Sequence, residues 1–83
     1  MNGLVYSQYL CYCFSMTDLL KTIGLNIRKY REAKSITQEE LSKICGLHRN
    51  YIGSVEKGSR NVSVKSLEKI AEGLNVSVTK LFE

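Results

Sequence analysis

The 83-residue sequence has no proline, no tryptophan, one histidine, three cysteines and only six glycines. Without proline there is no proline-rich linker, and no internal repeat or low-complexity stretch divides the chain. A single histidine, His48, leaves no nucleophile–base–acid set, and no glycine-rich phosphate loop is present. The cysteines, Cys11, Cys13 and Cys45, are odd in number and lack metal-ligand spacing; reduced thiols are expected, with no metal and no cofactor. No apolar run approaches the ~20 residues of a membrane helix, and the apolar stretch 4–14 lacks the basic flank of a signal peptide. A cytoplasmic protein with no membrane partner is expected.

What is present fits one small globular domain. The chain is 43% hydrophobic and 24% charged, which is not the composition of a disordered chain. Its length buries only about 60–65% of the unfolded surface, so the core is thin. There is no room for an enzyme-sized cleft, so neither catalysis nor a small-molecule ligand is expected. Net charge is +4, and its placement says more than its size. Residues 1–16 carry no charged side chain. Residues 43–65 hold Lys43, Arg49, Lys57, Arg60 and Lys65 against Glu56 alone, a local balance of +4. The flanking windows, 17–42 at +1 and 66–83 at −1, cancel. A basic centre points to an acidic partner.

Two regions are expected: an apolar N-terminal extension, 1–16, and a domain, 17–83. The extension leans weakly to a short helix, through Tyr6, Tyr9, Leu10 and Cys13. It can pack on its own domain, add to a subunit interface, or be a dispensable leader if translation starts at Met16.

The rest reads as short helices. Leu19, Leu20, Ile23, Ile27 and Tyr30 give a helical stripe over 18–34, weakened at Gly24 by about 1 kcal/mol relative to alanine. Thr37-Gln38-Glu39-Glu40 forms a capping box, with Ile36 and Leu41 as its hydrophobic staple. That helix, 38–45, is expected to bury Leu41, Ile44 and Cys45 and to end at Gly46. A third helix, 49–57, buries Ile52 and Val55 and closes at Gly58. After the loop Asn61-Val62-Ser63, a fourth, 64–73, turns Leu67, Ile70, Ala71 and Leu74 inward, with Ser63 as N-cap. Ser77 is placed to cap a last helix ending at Leu81-Phe82. Five helices and no strand pattern give an all-α domain.

Two short helices joined at Gly46-Leu47-His48 form a helix-turn-helix pattern. The second helix of such a pair fits the major groove, and Arg49, Asn50, Gly53, Ser54 and Lys57 occupy its exposed positions. Arginine pairs with guanine, asparagine pairs with adenine, and lysine suits phosphate.

Thr37-Gln38-Glu39-Glu40-Leu41, Gly46, Ile52, Val55-Glu56 and Gly58 resemble the lambda-Cro/repressor-type (XRE-like) helix-turn-helix domain over residues 22–83. Arg49-Asn50-Tyr51-Ile52-Gly53-Ser54-Val55-Glu56, followed by Arg60-Asn61-Val62-Ser63, is most similar to the controller proteins of restriction–modification systems. The resemblance implies a five-helix lambda-repressor-like fold. It also implies a homodimer on an inverted-repeat, double-stranded DNA operator, activating and repressing its own and the endonuclease gene. Arg49, Asn50, Ser54 and Arg60 would contact bases. Gln38, Lys43, Tyr51, Lys57 and Asn61 would contact phosphates. Arg31 and Glu56 match a family ion pair. Val76, Val78, Leu81 and Phe82 would form the dimer interface, and Glu39 would touch the polymerase sigma factor.

The sequence departs from the family pattern at three places. His48 stands where Asp or Ser usually caps the third helix, and histidine is a poor cap. Asn50 replaces the usual Thr. Gly53 replaces Ser and should loosen the helix. A phage or plasmid repressor, an antitoxin, and a protein-interaction module of the same fold that no longer binds DNA are the competing readings.

Overall fold

The computed structural model describes residues 15–83. The short helix expected within 4–14, and the thiols of Cys11 and Cys13, lie outside the described residues. Four α-helices follow in order: α1 Met16–Ala33, α2 Gln38–Cys45, α3 Arg49–Lys57 and α4 Val64–Leu74. The expected fifth helix is instead a 3₁₀ turn, Val78–Phe82. Its five residues begin with an i→i+3 bond, Lys80 N–H to the Ser77 carbonyl at 3.0 Å. Ser77 occupies its N-cap position, but its hydroxyl pairs with that of Thr79 at 3.0 Å and caps nothing. None of the described helices is long and apolar enough to cross a membrane.

Local signals set most of the boundaries. Thr37 and Glu40 exchange both capping-box bonds, at 3.0 and 2.8 Å. Gly46 and Gly58 end α2 and α3 in the left-handed region, each at φ 74°. The Ser63 hydroxyl accepts from Ser66 N–H at 3.0 Å and starts α4. Helix α1 begins two residues before the expected start, because Ser15 caps it by accepting from Asp18 N–H at 3.2 Å. That cap belongs to the stretch assigned to the extension. Helix α1 also ends one residue early, and Ser35, at φ 58°, turns the chain through the left-handed region without being glycine.

The core joins Ile23 and Ile27 of α1, Leu41 of α2, Ile52 and Val55 of α3, and Leu67, Ile70, Ala71 and Leu74 of α4. Two expectations about burial fail. Ile44 is 56% exposed, although it was placed inward with Leu41. The buried side of α2 runs through Leu41, Ser42 and the half-buried Cys45, because the Ser42 hydroxyl donates to the Glu39 carbonyl at 2.6 Å and so tolerates burial. With each residue advancing about 100°, this centre leaves Ile44 on the flank. Burial pushes the Cys45 thiol above its ordinary range.

Leu81 is the second correction. Its side chain is 0% exposed within its own protomer and belongs to the core, so it has no surface to give a partner. Asn26 of α1 anchors that turn by donating from Nδ2 to the Leu81 carbonyl at 2.9 Å. Of the other expected interface residues, Val76 and Val78 are partly buried against the core, and Phe82 is exposed.

Gly24 does more than weaken α1. A Cβ there would stand 2.5 Å from the Val55 carbonyl oxygen and closer still to that of Glu56. The missing side chain lets α1 and α3 touch backbone to backbone, which brings α3 close enough for Arg31 to reach Glu56.

Candidate nucleic-acid interface

Helix α3 is held from behind by one carboxylate. Arg31 donates to Glu56 through Nε at 2.6 Å and Nη2 at 3.1 Å, and its Nη1 donates to the Ile36 carbonyl at 2.8 Å. Gln38 Nε2 adds a third bond to Glu56, at 3.0 Å. Both members of the ion pair are largely shielded, with side chains 11% and 4% exposed. Hydrogen bonding to Glu56 raises the Arg31 guanidinium above its ordinary value, with desolvation opposing it. The pair expected from the resemblance is therefore formed, and the link to Gln38 is additional.

The front of α3 begins at His48, which caps the helix after all. Its Nδ1 accepts from Asn50 N–H at 3.1 Å, so the ring uses a neutral nitrogen lone pair where Asp or Ser would use an oxygen. Arg49, Asn50 and Lys57 are exposed, while Tyr51, Gly53 and Ser54 are half-buried. A groove of about 320 Å³ is lined by Gln38, Arg49, Asn50, Gly53, Ser54 and Lys57. It gathers three of the residues expected to read bases and two of those expected to hold phosphates.

The other expected residues lie elsewhere. Arg60 leaves this groove and lays its guanidinium 5.2 Å from the centre of the Tyr51 ring, a cation–π contact. Lys43 and Asn61 are exposed and do not line the groove. Glu39 lies 3.7 Å from Arg49, an ion pair between two well-exposed side chains, so these two expected contact residues meet each other. Ser54 donates its hydroxyl to the Asn50 carbonyl at 3.0 Å, which leaves its oxygen lone pairs for a partner. Gly53 does not break the helix; it opens the groove floor beside Gln38.

The Helix-turn-helix family model matches residues 27–81. The chain belongs to the helix-turn-helix family. Its relatives include control proteins at 38–46% identity, and it is a DNA-binding transcription regulator of that kind. Control protein C.SmaI of Serratia marcescens is 46% identical over 69 residues, spanning 83% of this chain and 80% of the relative. The crystal structure of the restriction–modification controller protein C.AhdI from Aeromonas hydrophila superposes with a TM-score of 0.74 at 41% identity, over 76% of this chain and 96% of that one. The controller protein C.Esp1396I, solved as a tetramer with its natural 35-base-pair operator, gives a TM-score of 0.71 at 44% identity, over 77% of this chain and 84% of that one.

The sequence showed no reason to connect Gln38 with Glu56, or to see Gly53 as an opening. Both depend on how α2 lies across α3. The only local sign was the place of Gln38 directly after the Thr37 cap.

Proposed function

We propose that the chain is the controller of a restriction–modification system, working in the cytoplasm as a homodimer on an inverted-repeat operator. The observation that supports this best is the groove on α3, where Arg49, Asn50, Ser54 and Lys57 stand open together. In this reading Arg49, Asn50 and Ser54 contact base edges, and Arg60 reaches DNA beside the recognition helix. Lys57, Lys43, Tyr51, Asn61 and Gln38 hold phosphates, and a second copy covers Val76, Val78 and Phe82. Residues 15–83 form the DNA-binding and dimerising unit, and the residues before them are an extension.

Activation needs an acidic contact for polymerase. Glu39 is exposed at the start of α2, and its present partner is the weakly held Arg49. When Arg49 turns to DNA, the Glu39 carboxylate is released to meet a basic part of the sigma factor.

Footprinting on the DNA upstream of the gene tests the whole. Two protected half-sites of opposite orientation are expected. A footprint without repeat symmetry removes the dimer. For the polymerase contact, Glu39→Gln should lose activation at that promoter while retaining occupancy; unchanged activation removes the contact.

A further inference from the structure

We propose that Asn26 is a positioning residue for operator spacing: it fixes the angle at which α1 carries the C-terminal turn. The inference rests on the homodimeric, DNA-binding reading and names what sets the half-site separation that such a dimer accepts.

The turn Val78–Phe82 bears part of the surface assigned to a second copy, and α3 bears the surface assigned to DNA. Helix α1 packs on both. On one side, Gly24 lies against the Val55 and Glu56 carbonyls, and Arg31 holds Glu56 through two hydrogen bonds. On the other side, Asn26 Nδ2 donates to the Leu81 carbonyl at 2.9 Å. Gly24 and Asn26 are two positions apart in the sequence, which is about 200° round a helix. Helix α1 is thus the bridge between the recognition helix and the turn.

The two sides of the bridge are held differently. The α3 side has a backbone contact and a doubly bonded ion pair. The turn is kept in place by the buried Leu81 side chain and by the chain leading from α4. Apolar burial is non-directional, so it retains the turn without fixing its tilt. A hydrogen bond is directional and weakens steeply when it is stretched or bent. Among the described residues, Asn26 to Leu81 is the one hydrogen bond between Val78–Phe82 and another helix.

A dimer of recognition helices meets spacing as geometry. One base pair more or less between half-sites moves one of them by about 3.4 Å and turns it by about 35°. To follow, the dimer tilts its turns against α1, and the Asn26 bond breaks. One such bond shifts an equilibrium by about two- to tenfold. The cost falls on wrongly spaced sites alone, because the correct site is bound with the bond intact.

Binding to three duplexes tests this, with the full chain, Asn26→Leu and Asn26→Ala. The duplexes carry the two footprinted half-sites at their natural separation, one base pair closer and one base pair farther. Circular dichroism checks folding, and sedimentation checks the dimer. The wild type should prefer the natural separation. Both variants should bind that duplex as the wild type does, and should bind the other two about two- to tenfold more tightly than the wild type. A merely weakened fold or dimer cannot raise affinity anywhere. An unchanged spacing preference overturns the proposal, and so does an even loss on all three duplexes. If Asn26→Leu fails to fold, Asn26→Ala decides alone. If neither variant folds and dimerises, the bond holds the turn on rather than orienting it, and the proposal is again overturned. A wild type that is monomeric, or indifferent to spacing, contradicts the dimeric reading itself and removes this inference with it.

Discussion

Arg31 of α1 and Glu56 of α3 meet side by side through two hydrogen bonds, at 2.6 and 3.1 Å, with both side chains largely removed from water. Removing one partner strands the other. Arg31→Met or Glu56→Leu should each cost about 3–5 kcal/mol, a large share of the stability of so small a domain. Replacing both should cost markedly less than the sum of the two. Urea unfolding of the two single variants and the double variant reads this directly. Additive losses would mean the pair is not coupled.

Gly24→Ala separates local propensity from packing. Propensity alone favours alanine by about 1 kcal/mol. The close approach to the Val55 and Glu56 carbonyls opposes it, and overpacking of this kind costs about 1–3 kcal/mol. A net loss of stability is expected by thermal melting. A gain would show that α1 and α3 are not in backbone contact.

His48→Ala removes the α3 cap. The expected cost is about 1 kcal/mol, or roughly 4–8 °C in Tm for a domain of this size. His48→Asn, which restores a side-chain acceptor, should recover it. Equal melting of all three would mean that the imidazole caps nothing.

Ser35→Gly should act in the other direction. Serine pays for its left-handed backbone at φ 58°, and glycine adopts that conformation freely. A gain of about 1 kcal/mol is expected. Lower stability would show that the serine side chain holds the turn.

The sequence was most informative where bonds are local. The Thr37–Glu40 box and the Gly46 and Gly58 caps depend on neighbours within one turn, and the structure forms each as expected; the bounds of α3 also match, although His48 caps it where a poor cap was expected. What stayed illegible depends on distant partners. Gly24 matters because of carbonyls of α3, and Leu81 packs into a core built by distant helices, with its carbonyl held by Asn26, 55 positions earlier. Ile44 was misplaced because a helical stripe of three apolar residues does not reveal that Ser42 can satisfy itself and turn inward. The recognition helix showed in the sequence as a row of exposed polar residues. Its second contributor, the amide of Gln38, lies on another helix and is aimed by Glu56, 18 positions further along the chain.

Binding to duplex DNA at increasing salt tests the central claim most directly. The account predicts that log K falls linearly with log salt, with a slope of about −0.9 for each phosphate contact. Lys57→Ala should flatten that slope by about one contact, while Arg49→Ala should cost ~1–3 kcal/mol on the operator and relax one base preference. Affinity that does not change with salt, or no binding to DNA at low salt, would contradict it.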